Sequence, residues 1–386
     1  MRPIPLGGLW GKLRSAWGRE LAYLYLLQGF NYLIPLVLVV YLSRTLSLEA
    51  FGLFALGQAL ALYLQFLVEY GFSLTGTREV AWNQGNPQRL GEIWAEVVVA
   101  RSLLLLPTAL LATLSALHPL LRGNPGIALG AFLYALALAL SPSWFLRGLG
   151  RAAWAGGLES ASRLLALAGT LALVRSPEEA AVPLIIGGAS ATAVSLGGGL
   201  WVGRRFPGAR PTWRSAWARL KAGSRILFVH LSTGLSAMVG PWVLGFHAPP
   251  REAALLAAAD RVVRILWGVL DPLSQTLFPR LAADPASGER ARLLRKGGAA
   301  LLGLGLLLAA LLEILAPLLV ALLLGEGYQE AIPLVRLLAP LLPLGAVANL
   351  LAVHHGLASG LDEAVNRAFL LWGLALVCAS LTGAYW

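Results

Sequence analysis

The chain alternates long apolar stretches with short polar breaks, and the stretches have the length of helices rather than strands. A helix needs about 20 apolar residues to cross a hydrocarbon core. Reading for such stretches predicts spans over 20–42, 49–72, 92–117, 126–146, 151–174 and 180–203. The second half adds 222–247, 252–278, 298–324, 331–356 and 365–386, about eleven in all. Runs this long and this rich in Leu, Ala and Gly exclude a β-barrel, whose signal is alternation over about ten residues. The loops left over are too short for a separate soluble domain. The predicted fold class is all-α, a polytopic integral membrane protein.

Composition supports that class. Hydrophobic residues make up 58% of the 386 and charged ones 13%, and the mean hydropathy is +0.72. No water-soluble domain of this length hides so much apolar surface. The net charge of +11 would suggest nucleic acid in a soluble protein, but here the charge follows topology. With the N-terminus inside, the inner side collects Arg2 to Arg19, Arg78 and Arg89, Arg147 and Arg151, Arg204 to Arg225, Arg280 to Lys296, and Arg367. The outer side collects Arg44, Arg122, Arg175 and Arg251, a split of 21 to 4. That is a positive-inside pattern with a cytoplasmic N-terminus, and it leaves no role for nucleic acid. Cys378 is the single cysteine, so no disulfide forms within the chain. The first apolar run is too long for a signal-peptide core and reads as a retained span.

The stretch from Gly203 to Arg225 divides the chain, with six predicted spans before it and five after it. The domain reading is an N-terminal lobe over 1–203, a basic cytoplasmic linker over 204–221 and a C-terminal lobe over 222–386. Within the linker, Trp213, Trp217 and Leu220 share one helical face, which describes a helix lying in the membrane interface. The N-terminus repeats the design: Leu13-Arg14-Ser15-Ala16-Trp17 resembles Trp213-Arg214-Ser215-Ala216-Trp217. Leu67 to Gly71 and Val269 to Leu273 recur at nearly the same offset. An internal duplication in parallel orientation is expected, with a substrate site between two pseudo-symmetric lobes around a central cavity. The second lobe is one span short, which reads as truncation at the C-terminus.

Charges inside spans cost at least about 2.5–3.5 kcal/mol each, so each needs a reason. Glu159 and Arg163 lie four apart on one helical face. Asp260 and Arg264 repeat that spacing and leave Arg261 without an intrahelical partner. Arg101 and Arg336 have no acid three or four residues away. Each reads either as an ion pair between helices or a snorkelling side chain, or as the lining of a path. Glu96, close to the inner boundary, reads as solvated. Glu313 reads as a proton or cation site, or as a neutral hydrogen-bonded group. Asn31, Gln58, Gln65, His230 and Asn349 are polar groups in spans, either glue between helices or ligand contacts. His247, His354 and His355 show no metal-ligand spacing, and no metal centre is expected. Phosphate-loop, zinc-protease and serine-hydrolase signatures are absent, so the chain is not expected to be an enzyme.

A series of short motifs follows in order: Asn31 to Pro35, Tyr41 to Arg44, Glu49 to Leu53, Glu69-Tyr70-Gly71-Phe72 and Thr77 to Ala81. Further on come Pro142 to Phe145, Ala258-Ala259-Asp260-Arg261, Pro272 with Phe278-Pro279-Arg280, and Gly325 to Tyr328. Together they resemble the polysaccharide and O-antigen (Wzx-type) flippases, in the superfamily that also holds the MATE multidrug extruders. The family usually has twelve or more spans in two lobes. The resemblance implies alternating-access transfer of a lipid-linked, polyprenyl-diphosphate oligosaccharide from the inner to the outer leaflet of the cytoplasmic membrane. It further implies a monomer working beside a polymerase and glycosyltransferases of the same pathway, without a cofactor. A wet cleft lined by arginine suits a diphosphate, which cannot cross hydrocarbon unaided. Arg261, Arg264, Arg163 and Arg101 are the main candidates for that lining, with Arg336 and Asn31 beside them. Asp260, Asp271, Glu159 and Glu313 are candidates for coupling to protons or sodium.

Two rivals remain. A cation-coupled drug antiporter of the same fold would present acids and aromatics to an organic cation, whereas the clustered interior charge leans basic. A polymerase, ligase or membrane glycosyltransferase would need a large outer loop, and the outer loops here are short. A major-facilitator transporter is disfavoured because 77–91 lacks that family's basic loop signature.

Overall fold

The computed structural model describes residues 33–208, 214–221, 250–270 and 288–351, with single positions at 273 and between 364 and 378. The predicted span 222–247, most of 365–386, the N-terminal repeat at 13–17, Asn31 and Asp271 lie outside the described residues. Among those described, the chain is helical and contains no strand. In order the helices are α1 (Leu33–Thr45), α2 (Leu48–Glu69), α3 (Phe72–Trp82), α4 (Pro87–Ala116), α5 (Pro119–Arg122) and α6 (Gly126–Leu140). Then come α7 (Ser143–Gly148), α8 (Ala152–Leu173), α9 (Val182–Arg205), α10 (214–221) and α11 (Pro250–Trp267). Last are α12 (Gly288–Leu323), a 3₁₀ turn over Glu326–Ala331, α13 (Ile332–Leu338) and α14 (Leu341–Asn349).

Among the described residues, five stretches are long and apolar enough to cross a membrane: α2, α4, the Gly126–Gly148 stretch, α9 and Arg292–Leu323 within α12. The pair Glu326–Leu338 and Leu341–Asn349, bent by 41°, adds a sixth if taken as one broken span. Pro340 and Pro343 explain the bend, because each lacks an N–H for the helical ladder. The predicted span 151–174 forms α8, and the described part of 252–278 forms α11, which ends at Trp267. Glu159 and Arg163 in the one, and Arg251, Glu252, Asp260, Arg261 and Arg264 in the other, lower their apolar character. Along α4 and α12 large apolar side chains face outward, with Leu106 at 74% and Ile314 at 73% exposure. Rows of such residues are stable only against lipid, and the chain is a multi-pass membrane protein.

The chain divides into two compact units. One comprises Met1–Leu38, Ala61–Val174 and Ala181–Leu227. Its centre is α6 packed on α9, and small residues set the distance. A Cβ added at Gly188 would lie 2.6 Å from the Leu133 Cβ and 2.8 Å from the Gly130 carbonyl oxygen. Gly197, nine residues further along the same helix, has nothing within 4 Å. In lipid, where association depends on close packing, that contrast predicts opposite outcomes. Gly188→Ala is expected to cost about 1–3 kcal/mol by overpacking. Gly197→Ala is expected to be neutral or stabilising by up to about 1 kcal/mol, because alanine is the better helix former. Thermal unfolding of the two purified variants in detergent would check both.

Between α2 and α3 the helical path breaks at Tyr70 (φ 48°) and Gly71 (φ 84°). Left-handed backbone is cheap for glycine and costly for tyrosine, so something must hold Tyr70 there. The Glu69 carboxylate does so from the helix end, its Oε1 accepting from the Ser73 N–H at 2.8 Å. The start of α4 is set by Asn86, whose side chain accepts from the Arg89 N–H, with Pro87 in the first turn.

The second unit comprises Val39–Leu60, Arg175–Ala180 and Phe228–Trp386. Here α11 and α14 meet where a Cβ at Gly345 would overlap the Trp267 ring. Arg44 donates to the Leu322 carbonyl at 2.8 Å and Ser43 to the Leu323 carbonyl at 3.3 Å, so both satisfy free carbonyls ending α12. In the connection after α8, Glu179 Oε2 accepts from the Arg175 N–H at 2.8 Å and the Ser176 N–H at 3.0 Å. The Ser176 and Arg175 N–H groups hold this carboxyl below its usual range. A depressed acid stabilises fully above its ordinary range and loses that contribution as pH falls through the lowered value. Glu179→Gln is therefore expected to speed amide exchange at Arg175 and Ser176 near neutral pH, with little further change on acidification.

Candidate functional site

In the first unit Arg101 of α4 is fully buried. Its Nη2 donates to Glu69 Oε2 at 2.7 Å and to Ser73 Oγ at 3.2 Å, and its Nη1 to the Leu138 carbonyl at 3.1 Å. The Trp144 ring lies 5.9 Å from the guanidinium carbon. One side chain thus ties α2, α3, α4 and α6 together, and its charge is met by Glu69. The arrangement braces the break at Tyr70 and leaves no guanidinium surface open to a ligand.

Glu159 of α8 accepts a hydrogen bond from Arg147, which lies at the end of α7. Arg163, one turn further along α8, is within electrostatic reach of Tyr134 on α6. Near the start of α4, Arg219 of α10 is gripped by two acids. It reaches Glu79 through Nη1 at 3.0 Å and Nη2 at 2.8 Å, and Glu96 through Nε at 2.6 Å. Burial alone would lower the Arg219 pKa, but these bonds and charges outweigh it and raise it. Glu96, read from the sequence as solvated, is here a partner in that grip.

The second unit holds the cluster on α11. Arg264 Nε pairs with Asp260 Oδ2 across one turn, as the spacing predicts. Arg261 is half-buried and donates to the side-chain oxygen of Gln58 on α2. Its guanidinium carbon lies 5.3 Å from the Phe51 ring and 5.4 Å from the Phe54 ring. Phe51 in turn meets Tyr328 edge-on at 5.5 Å. The Tyr328 hydroxyl is buried and has no hydrogen-bond partner among the described residues. Arg336 lies 3.7 Å from Glu313 Oε2 and donates to the Glu313 carbonyl at 3.2 Å, with both side chains about half exposed.

The arginines therefore differ in how their charge is met. Arg101, Arg264 and Arg336 each have a carboxylate within 4 Å. Arg261 has none among the described residues: its hydrogen-bond partner is a neutral amide and its neighbours are aromatic rings. Such a cation is held without a carboxylate at contact distance, although Asp260 beside it in the chain acts on its charge from further away. Asn31 and Asp271 lie outside the described residues. Phe51, Phe54 and Tyr328 were not picked out as site residues from the sequence, although Phe51, Phe54 and Gln58 share a helical face at i, i+3 and i+7. Glu69 was legible only as part of a motif. No cluster of three or more metal-ligating side chains occurs among the described residues.

Comparison with known proteins fits this architecture. Two curated relatives both carry the name "Putative O-antigen transporter". The one from Escherichia coli (strain K12) is 26% identical over 366 residues, covering 92% of this chain and 87% of that protein. The one from Shigella dysenteriae is 24% identical over 364 residues, covering 92% and 89%. Both are named as transporters rather than enzymes. A solved inward-facing multidrug resistance MATE family transporter of the MOP superfamily shares the fold. It has a TM-score of 0.61 at 13% identity, over 92% of this chain and 93% of that one. The sequence profile of the family described as "Polysaccharide biosynthesis protein" matches residues 17–283. On that match, to a chain of membrane helices with a transporter fold, the protein belongs to the polysaccharide biosynthesis protein family.

Proposed function

We propose that the protein carries a polyprenyl-diphosphate-linked oligosaccharide from the inner to the outer leaflet of the cytoplasmic membrane by alternating access, with Arg261 as its principal anion contact. The observation that carries this reading is the guanidinium of Arg261, which has no carboxylate partner among the described residues. A diphosphate in a low-dielectric path needs a counter-charge, and arginine supplies it through planar, often bidentate hydrogen bonds. Phe51, Phe54 and Gln58 hold the guanidinium in place without neutralising it, a form of pre-organisation. Arg264 and Arg336, in the same unit, serve as secondary positive charges.

Coupling to a proton or sodium gradient enters through acids already set against arginines: Asp260 with Arg264, Glu159 with Arg147, and Glu313 with Arg336. Protonation or ion binding at such an acid frees its arginine, which links the ion to the anionic cargo. Asp271 remains a further candidate. The N-terminus is cytoplasmic in this reading, and the protein works as a monomer beside the glycosyltransferases and polymerase of its pathway. The drug-antiporter alternative is weakened because the Phe51–Phe54 pair, suited to an organic cation, is already occupied by Arg261.

The test is reconstitution of the full chain into proteoliposomes. A fluorescent polyprenyl-diphosphate glycan should cross, as judged by loss of access to a membrane-impermeant quencher, while a cationic dye should not. Transport of the dye with no movement of the anionic lipid would overturn the reading.

A further inference from the structure

Every acid among the described residues of the first unit is held by an arginine of that unit. Arg101 takes Glu69, Arg89 takes Glu92, Arg147 takes Glu159, and Arg219 takes both Glu79 and Glu96. Positive charge is left over where α8 begins and α9 ends. Arg151, just before α8, and Arg204 and Arg205, closing α9, are exposed and have no carboxylate at ion-pair distance among the described residues.

One turn inside those guanidiniums each helix presents an indole. Trp154, in the first turn of α8, and Trp201, one turn before Arg204 and Arg205, stack with ring centroids 6.2 Å apart and an interplanar angle of 16°. Both rings are exposed, Trp154 by 63%. Further from the arginines the outward side chains are aliphatic, Leu164 and Leu165 on α8 and Leu196 and Leu200 on α9. Leucine gives way to indole along this surface, and indole to guanidinium. Acyl chain, glycerol region and head group follow one another in the same order across a bilayer leaflet.

We propose that this face is a seat for a phospholipid of net negative charge, with the head group among Arg151, Arg204 and Arg205 and the glycerol region against the stacked indoles. Zwitterionic and anionic phospholipids both bring a phosphate. Only the anionic one still carries negative charge once its own head group is counted, so three guanidiniums without a carboxylate partner select it. The acids of the unit do not compete for these guanidiniums, because each is already held by another arginine. Stacking fixes the two indoles as one flat platform, which anchors the seat at a single depth. The inference concerns the bilayer alone and stands whatever cargo Arg261 binds.

The full chain is placed in nanodiscs of phosphatidylcholine containing equal mole fractions of either acyl-brominated phosphatidylglycerol or acyl-brominated phosphatidylcholine. The quenching that disappears when Trp154→Phe and Trp201→Phe are combined belongs to the indole pair. Its ratio between the two brominated lipids measures the preference, which is expected to favour the anionic one. The preference should fall by up to about fivefold for each charge removed in Arg151→Gln, Arg204→Gln and Arg205→Gln. Arg204→Lys, which keeps the charge, should retain it. Quenching of the pair by neither lipid would show a face turned to water or protein and would overturn the proposal. So would equal quenching by both lipids in the unaltered chain, or a preference that survives removal of all three charges.

Discussion

Arg261→Ala is expected to reduce transport of a diphosphate-linked glycan by about 10- to 100-fold, with the protein still inserted and monodisperse. The magnitude follows from losing one charge-assisted contact to a phosphate, worth about 1.5–3 kcal/mol. Retention of the fold follows from the partners of Arg261. The side chain is half-buried, and its removal leaves a neutral amide and two phenyl rings rather than an orphaned carboxylate. Arg261→Lys should fall between the two, because it keeps the charge and loses the planar fork. Gln58→Leu should have a smaller effect, since the rings of Phe51 and Phe54 still hold the guanidinium. The measurement is initial transport rate in proteoliposomes at matched protein content. An unchanged rate for Arg261→Ala would remove this residue from the path.

Arg101→Leu is expected to destabilise the first unit by about 3–5 kcal/mol, because it leaves Glu69 partly buried without its counter-charge. The loss should extend beyond the pair. Glu69 also caps α3 through the Ser73 N–H, and that cap holds the left-handed turn at Tyr70 and Gly71. Adding Glu69→Gln to Arg101→Leu should recover part of the loss, since a neutral amide still accepts from Ser73 and no lone charge remains. Thermal unfolding in detergent, followed by loss of monodisperse protein, gives the ranking. If Arg101→Leu unfolds at the midpoint of the unaltered chain, the pair does not brace the fold. The two substitutions therefore separate cleanly, with Arg261 acting on transport and Arg101 on stability.

Local and compositional signals carried much of the fold. Lipid-facing rows of leucine in α4 and α12 follow from apolar runs, because apolar side chains have no better solvent than acyl chains. The Asn86–Pro87 start of α4 depends on neighbours within one turn and is equally visible in the sequence. Hydropathy missed the polar turns that lengthen these helices: α4 begins at Pro87 and α12 at Gly288, before the apolar runs at 92 and 298. Backbone hydrogen bonding continues a helix through polar residues without regard to whether lipid or water lies outside.

The sequence by itself determined that this protein is a bundle of membrane helices carrying arginines that need a reason to be there, and it named those arginines. Only the tertiary structure decided which reason applied to each. Arg101 finds Glu69 across 32 residues and Arg261 finds Gln58 across 203, while Arg219, read from the sequence only as part of the basic linker, finds Glu79 across 140. Helical periodicity assigns a residue to a face. Which face of another helix arrives opposite is set by the packing of whole helices, where small residues such as Gly130 and Gly188 permit close approach. An arginine met by a carboxylate and one met by an amide look alike in the chain, and they differ in charge only after those helices have packed.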